Sequence, residues 1–369
     1  MTFSAPFLFA LSASLCTALI LVLTQRLHGH LTLDNQPGVQ KLHTAPTPRV
    51  GGLALLVGAL AGGLALSAEV QWFWWLICLS ALPAFASGLL EDVTKRVGVK
   101  TRLLATVFAG MIFCTLTGYR ITSVDIIGID NLLSFWLPSF VFTAFAIGGI
   151  ANAVNIIDGV NGLAAGTSII ILTGFAVVAG QVGDTIILTA CLVGIGALSG
   201  FFLLNFPVGR LFLGDAGAYT AGFLLAVIAV ALPQRNAELS PLIGLLALSY
   251  PVTETAVSVL RRIARKGAHP GAPDRLHLHS LIYRCRARRT ARALKAPQLR
   301  NAITGLLVMG IPLLSVVLMV LVSHSSALIW VSIAFVGVVY LRFYRKAALL
   351  GPFLDTARKM RHTAKEKPS

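Results

Sequence analysis

Long apolar runs recur along this sequence and constrain its fold more than any other feature. Runs of about 18 residues or more stand, for example, at residues 3–23, 163–180 and 302–322, and as helices they can cross a hydrocarbon core of ~30 Å. Backbone groups in lipid must satisfy their own hydrogen bonds, so continuous apolar runs favour helices over barrel strands. With 56% hydrophobic and 12% charged residues, the chain is predicted to be an all-α, polytopic membrane protein.

The apolar runs predict about eleven membrane-spanning helices, with ten as the lower number. The first run has no basic segment before it and Arg26 after it, which favours a retained helix over a cleaved signal peptide. The predicted membrane domain occupies residues 1–341, and a basic tail follows at residues 342–369. The predicted spans are residues 3–25, 51–68, 72–90, 103–118, 135–151, 163–180, 185–203, 217–232, 241–260, 301–322 and 327–341.

Basic residues fall almost entirely on one set of loops. Of the 30 Lys and Arg residues, all except Arg120 and Arg235 lie on one side of the predicted membrane. The positive-inside rule makes this side cytoplasmic, with a periplasmic N-terminus and a cytoplasmic C-terminus. The charges flank spans and lack interleaved aromatic residues, so nucleic-acid binding is not predicted. Contact with anionic membrane lipid is predicted instead. The basic side holds residues 26–50, 91–102, 152–162, 204–216, 261–300 and 342–369.

Two charged clusters begin the series of polar motifs on this side. Lys41 lies in a Pro-rich basic loop that also carries Arg49, and such cations suit phosphate binding, although an ordinary juxtamembrane loop has the same composition. Glu91 and Asp92 directly follow the third predicted span. Adjacent carboxylates at a membrane boundary need cations or a metal. The alternative is a salt-bridged helix end that pairs with neighbours such as Lys95.

Amides and carboxylates form the third motif. Asn152, Asn155 and Asp158 follow one another at intervals of three residues, a spacing that places helical side chains on one face. Asn161 comes three residues later, between two glycines that permit a tight turn. A nucleotide or a hard cation would suit these groups. A polar helix cap would explain one of them but not four.

The fourth motif leads into the eighth predicted span. Asp215 stands between Gly214 and Gly217 at the start of a helix, where a carboxylate suits Mg²⁺ that also binds phosphate oxygens and water. Asn205, Arg210 and Phe212 precede it. Phe212 could stack on a base, and the alternative for this residue is a lipid-facing aromatic.

Histidines mark the fifth motif, in the longest basic loop. His277 and His279 share a face only if their segment is extended or irregular. A zinc site would require a third ligand that the sequence does not offer, so phosphate binding is the favoured interpretation.

These five motifs, over roughly residues 40–285, resemble in content and order the polyprenyl-phosphate N-acetylhexosamine-1-phosphate transferases. The stretch at residues 274–280 is more similar to the undecaprenyl-phosphate N-acetylglucosamine-1-phosphate transferase branch than to the phospho-N-acetylmuramoyl-pentapeptide transferase branch. The resemblance implies transfer of an amino-sugar 1-phosphate from UDP-GlcNAc or a related UDP-amino sugar to undecaprenyl phosphate, with release of UMP. It also implies a bacterial inner membrane, a cytoplasmic active site and an early step of a cell-surface glycan such as O-antigen; homodimerisation is left open.

The resemblance also implies roles for the motif residues. Asp215, with Asn155 as a second contact, matches the Mg²⁺ ligand, and Mn²⁺ is an alternative metal. Asp92, with its neighbour Glu91, matches the acidic pair that activates the lipid phosphate. Asp158 completes the predicted catalytic carboxylates. The predicted substrate-binding residues are Lys41, Asn152, Asn161, Asn205, Arg210, Phe212, His277 and His279.

Three departures from the family pattern predict an altered sugar preference. Glu91 stands where the family has Asp, Ser280 where it has His, and Ala218 where it has Ser. Two other readings stay open at this point. Glu254, inside a predicted span, favours a secondary transporter, and the departures allow a catalytically inactive paralogue.

Overall fold

The computed structural model describes residues 4–33, 47–264 and 276–365, with side chains as far as residue 349. Helices make up nearly all of this part of the chain, and no strand occurs in it, as predicted. The helices are α1 (Ser4–Leu23), α2 (Gln25–Thr32), α3 (Gly51–Leu64), α4 (Ala68–Thr94), α5 (Val99–Thr117), α6 (Ile129–Leu133), α7 (Trp136–Ile157), α8 (Leu163–Gln181), α9 (Thr185–Asn205), α10 (Gly214–Arg235), α11 (Ile243–Ala247), α12 (Ser249–Ala264), α13 (Leu278–Ile282), α14 (Arg288–Ala293), α15 (Arg300–Val322) and α16 (Ser326–Lys365). A π-helical segment, Tyr283–Ala287, joins α13 to α14, and a 3₁₀ turn precedes α15.

Nine helices among the described residues are long and apolar enough to cross a membrane, and each coincides with a predicted span. The chain is therefore a multi-pass membrane protein. The predicted span at residues 51–68 corresponds to α3, which has 14 residues and extends only about 21 Å at 1.5 Å per residue. The total of about eleven spans and the orientation in the membrane stay predictions.

The predicted span at residues 241–260 is not one helix. It divides at Leu248 into α11 and α12. The cause lies in Pro251, which has no backbone N–H to donate to the carbonyl of Ala247, so a continuous helix loses a bond at this point. Pro251 instead occupies the first turn of α12, where an N–H is not needed. Helix α16 continues beyond residue 341, where the basic tail was predicted to begin, as far as Lys365.

Helix α10 lies at the centre of the bundle and packs against α3, α4, α7 and α8. Small residues bring the helices close together. A Cβ at Gly200 of α9 would lie 2.6 Å from the carbonyl oxygen of Leu11 in α1, so only glycine allows this approach. Close backbone packing of this kind is typical of helices in membranes, where dispersion rather than water exclusion drives association.

Polar contacts connect the loops at each end of the bundle in the two sets that charge patterning predicted. At one end, segments from five of the six basic loops join directly through the contacts described for the candidate site, and Tyr344 of α16 donates to the carbonyl of Leu276. At the other end, the N–H of Ser240 donates to the carbonyl of Ser323, and Ser326 donates to Asp125. The basic end is called the site end here and the opposite end the outer end.

An ion pair at the outer end holds α8, α9 and α10 together. Asp184 caps the start of α9 by accepting from the Ile187 N–H, and its carboxylate also accepts from Arg235 at 2.7 and 3.2 Å. Asn236 adds a further bond at 3.0 Å. Burial acts to raise the pKa of Asp184, but these donors together hold the pKa below its ordinary value.

We expect Asp184→Asn to destabilise the fold by about 2 kcal/mol at pH 7, between the values for exposed and buried pairs. Because the folded pKa is lowered, this stabilisation is present above the unfolded pKa of about 4 and is lost as pH falls through the folded pKa. Thermal unfolding of the purified protein in detergent between pH 7 and pH 3 measures the difference. Glu238→Gln, an exposed carboxylate at the same end, is the control; an equal effect of both variants would contradict the expectation.

Candidate active site

The carboxylate of Asp92 binds the beginning of α10. Its two oxygens accept the N–H groups of Asp215 and Ala216, each at 2.9 Å, from residues more than a hundred positions away in sequence. The first N–H groups of a helix have no partner inside the helix, and an ionised acceptor there also interacts favourably with the helix dipole. Asp92 is fully buried, so this long-range cap fixes α4 against α10.

Two glycines make the cap possible. Gly214 has φ +75°, and a Cβ at this position would lie 2.6 Å from Asp92 Oδ2 and 2.5 Å from the carbonyl oxygen of Arg49. Gly88, one turn before Asp92 on α4, lets the α10 backbone approach, since its Cβ would lie 2.5 Å from the Ala216 nitrogen. Gly214, which precedes Asp215, and Gly88 therefore serve backbone geometry.

Asp215, in the first turn of α10, is surrounded by donors. Arg49 Nη2 lies 2.5 Å from Oδ1, Arg102 Nη1 donates to Oδ2, and the Asn155 amide donates to Oδ1 at 3.1 Å. Arg49 Nε also lies 3.6 Å from Asp92 Oδ1. Asp215 is 1% exposed, and a buried carboxylate of this kind is tolerated only with such partners. Four segments of the chain thus meet at one carboxylate.

The donor set around Asp215 fits a hard cation in part. Asp215 and the amide oxygen of Asn155 are oxygen ligands, and Mg²⁺ is commonly held by one or two such groups together with water and substrate phosphates. Both Asp215 oxygens are engaged by guanidinium groups, so a cation would have to displace at least one of them. Within the described ranges, no three His, Cys, Asp or Glu side chains converge on a metal site, so substrate would have to complete the coordination.

Asp158 follows α7 in the adjacent loop and makes no side-chain hydrogen bond within the described part of the chain. Burial raises the pKa of its carboxyl to about 7, although Arg49 acts in the opposite direction. Its neighbour Gly159 packs directly on the ring of His279, which leaves no room for a Cβ. Asp158 is therefore the predicted carboxylate whose oxygens are most available to a substrate.

A buried network orients the two histidines. Glu254 of α12 accepts from His277 Nδ1 at 3.0 Å, from the Leu278 N–H at 3.2 Å and from the Tyr340 hydroxyl at 2.9 Å. The rings of His277 and His279 stack with centroids 5.5 Å apart. Glu254, which favoured a transporter in the sequence, is thus engaged in bracing α12, α13 and α16.

His279 presents an unpaired nitrogen. It is 4% exposed, and its Nδ1 has no hydrogen-bond partner in the described structure. Burial lowers the pKa of His279 to about 4, even though Glu254 acts to raise it. A neutral imidazole next to Gly159 and Asp158 can donate or accept a hydrogen bond but does not carry a charge at neutral pH. His279 is therefore uncharged at neutral pH, whereas the sequence suggested that it binds phosphate as a cation.

Asn161, Asn205 and Phe212 connect the loops of the site end. Asn161 donates to the carbonyl of Pro207 at 3.0 Å, and Asn205 accepts from the Gly162 N–H at 2.6 Å. The backbone of Phe212 pairs with Pro48 and Gly51, both at 2.9 Å. The two predicted substrate amides are largely occupied with holding these loops together, and Phe212 is half-buried.

Three other predicted residues lie apart from the Asp215 cluster. Asn152 donates to Thr106 and to the Gly148 carbonyl, both at 2.8 Å, and so joins α7 to α5. Glu91 accepts from the Val97 N–H at 2.8 Å and supports the turn after α4. Arg210 is exposed. Lys41 lies outside the described residues.

Arg102 is a site residue that the motifs did not indicate, and Arg49 was not among the predicted site residues. Both lie in loops that the sequence already marked as basic, but nothing in the local sequence separates them from Arg96 or Lys100. Arg49 was noted only as one cation of the first motif. The one available signal was its position just before the glycine pair that packs on α10, where a Cβ at Gly52 would lie 2.5 Å from the Gly217 nitrogen.

Comparison with known proteins agrees with this arrangement. The family model described as glycosyl transferase family 4 matches residues 74–233, a range that includes Asp92, Asp158 and Asp215. A probable undecaprenyl-phosphate N-acetylglucosaminyl 1-phosphate transferase of Bacillus subtilis is 30% identical over 272 residues, which cover 73% of this chain and 75% of that protein.

Two further relatives widen the comparison. An undecaprenyl-phosphate alpha-N-acetylglucosaminyl 1-phosphate transferase of Yersinia pestis is 28% identical and covers 68% of this chain and 70% of its own. A phospho-N-acetylmuramoyl-pentapeptide-transferase of Enterococcus faecalis is 31% identical and covers 69% of this chain and 80% of its own. These findings confirm the predicted resemblance, closer to the N-acetylglucosaminyl branch. The chain belongs to glycosyl transferase family 4.

Proposed function

We propose that this protein transfers an N-acetylamino-sugar 1-phosphate from a UDP-sugar to undecaprenyl phosphate and releases UMP. UDP-GlcNAc or a related UDP-amino sugar is the donor, and the product starts a cell-surface glycan in a bacterial inner membrane. Support comes from the activities named for the relatives. The observation that carries the proposal is the meeting of Asp215, Asn155, Arg49 and Arg102 at one end of a membrane bundle.

In the proposed reaction, the phosphate that carries the sugar exchanges its diphosphate bond to UMP for a diphosphate bond to the lipid phosphate. An oxygen of the lipid phosphate attacks the β-phosphorus of the UDP-sugar, the bond from that phosphorus to the bridging oxygen breaks, and the electron pair leaves with UMP. We favour a single displacement. Both reactants are anions, so the main requirements are charge neutralisation and in-line alignment.

Arg49 and Arg102 can meet the first requirement. Each reaches Asp215 from a different loop and keeps donors beyond those used there, so a diphosphate can engage the guanidinium groups that now bind the carboxylate. Bound Mg²⁺, held by Asp215 and Asn155, would neutralise phosphate oxygens and stabilise the leaving group. Asp92 holds Asp215 in position through the α10 cap, and its predicted role in activating the lipid phosphate stays a prediction.

Asp158 and His279 can contribute to the second requirement, the alignment of the substrate. Asp158 has free oxygens to accept a hydroxyl or imide hydrogen bond from the nucleotide. The ring of His279, whose Nδ1 has no partner in the described structure, packs on the neighbouring Gly159. The position of the site end is also compatible with undecaprenyl phosphate as the acceptor. A prenyl chain can remain in the hydrocarbon while its phosphate reaches the cluster at the end of the helices.

We expect Asp215→Asn to lower the rate of UMP release by at least about 10²-fold, by analogy with the loss of other transition-state-stabilising groups. The assay incubates purified protein with UDP-GlcNAc, undecaprenyl phosphate and Mg²⁺ and follows UMP. Glu238→Gln at the outer end should leave the rate unchanged. Wild-type protein that releases no UMP with any UDP-amino sugar would contradict the proposal and favour a transporter or an inactive scaffold.

We expect Arg102→Gln to lower kcat and also to lower the Mg²⁺ concentration needed for half-maximal activity. The variant loses a phosphate donor, but it also removes one cation that competes with the metal for Asp215. A Mg²⁺ titration of the steady-state rate measures both effects, with Mn²⁺ as a parallel series. Arg96→Gln removes the same charge from an exposed position in the same loop and should leave the titration unchanged. A higher Mg²⁺ requirement in Arg102→Gln would argue against direct competition.

A further inference from the structure

A second cationic site lies at the site end, between α16 and the π-helical segment. A cavity of about 170 Å³ is lined by Arg286 on the π-helical side and by Arg342 and Lys346 on α16. At about 30 Å³ per water molecule, this volume is sufficient for a hydrated phosphate group. Ile282, Val339, Phe343 and Ala347 form its apolar walls.

The geometry of α16 aims both of its cations into this cavity. Arg342 and Lys346 are one turn apart and therefore share a face with the apolar wall residues of the same helix. Across the cavity, the Arg286 guanidinium lies 5.6 Å from the centre of the Phe343 ring. Cys285 donates its S–H to the carbonyl of Ala347 at 3.6 Å, which holds the π-helical segment against α16. The Cys285 contact frames the cavity without using its three cations, and the Phe343 ring is an uncharged partner for Arg286.

No carboxylate occurs among the described residues that line this cavity. Residues 276–349 contain no Asp or Glu at all. This contrasts with Arg49 and Arg102, which are paired with Asp215. The segment carries ten basic residues, namely Arg284, Arg286, Arg288, Arg289, Arg292, Lys295, Arg300, Arg342, Arg345 and Lys346. A pocket lined by three cations, with no carboxylate among the described residues that line it, favours an anion.

The surface that leads to the cavity indicates what carries the anion. Leu328, Val331, Phe335 and Val338 are exposed on α16 and repeat at intervals of three and four residues, so they form one stripe along the helix. Arg342 continues the stripe by one further turn. An apolar stripe on a membrane span that ends at a cation matches an amphiphile with an acyl chain and an anionic head. A soluble anion would not need the stripe.

We propose that Arg286, Arg342 and Lys346 bind the phosphate of an anionic phospholipid whose acyl chain lies along α16. This site is distinct from the Asp215 cluster and does not depend on the proposed reaction. Arg286 belongs to the segment that directly follows α13, which carries His279. A bound headgroup would therefore also hold the chain that leads to the candidate active site.

Native mass spectrometry of the full-length protein in detergent, titrated with phosphatidylglycerol, tests the proposal. At ~1 kcal/mol per basic residue near an anionic lipid and 1.4 kcal/mol per factor of ten, Arg342→Gln/Lys346→Gln should weaken binding about 25-fold. Arg289→Gln/Lys295→Gln removes the same charge from exposed positions between α13 and α15 that do not line the cavity, and should stay within about twofold of wild type. Phosphatidylcholine should bind all three proteins alike.

Three results would overturn the proposal. The first is wild-type affinity for phosphatidylglycerol in Arg342→Gln/Lys346→Gln, and the second is an equal loss in both double variants, which would indicate a diffuse charge effect. The third is displacement of the lipid by an equal concentration of inorganic phosphate, which would indicate a site for a soluble anion. If the first double variant does not fold, Arg286→Gln on the opposite wall decides, with an expected loss of about fivefold.

Discussion

The hydrogen bonds from the first turn of α10 to Asp92 are the interaction on which the site end depends. They satisfy backbone donors that would otherwise be unpaired at the centre of the bundle, and they do so with a charge that favours the positive end of the helix dipole. Because α10 packs against most of the bundle, its start defines where Asp215 lies. Gly214 and Gly88 are required for the same reason, since side chains at these positions would separate the two backbones.

Buried polar groups of this bundle fall into two classes: carboxylates paired with arginines and groups that have no partner. Asp215 at the site end and Asp184 at the outer end are each held by arginines from other helices. The outer pair has no evident chemistry and serves to connect helices. At the site end, the partners are arranged so that a substrate anion or a metal can replace them, because two separate arginines share one carboxylate. By contrast, Asp158 is half-buried with no side-chain hydrogen bond in the described structure, and His279 is buried with an unpartnered Nδ1. A polar group left unsatisfied in this way is a candidate to bind a ligand.

Basic residues that have no carboxylate partner in the described structure have a different explanation. Positive charge at one end of a membrane bundle is required for orientation, and most of the basic residues of this chain need no other explanation. The three around the α16 cavity are set apart by their convergence on one space, by the absence of acidic residues in the surrounding sequence and by the apolar stripe below them. They link the end of α16 to the segment that carries the histidines.

The sequence by itself determined the class of fold, the grouping of the loops and the chemical type of the site. The length of an apolar run determines whether a helix can span the lipid, and the distribution of basic residues groups the loops. Nine of the predicted spans and the two sets of loops follow from these local properties. Only the tertiary structure decided which polar residues meet. Glu91 and Asp92 are adjacent in sequence, yet a rotation of about 100° along the helix turns one to a loop amide and the other to α10. Arg49 and Arg102 became site residues, and Asn152 a packing residue, because contacts between distant helices depend on backbone approach, which no local pattern encodes.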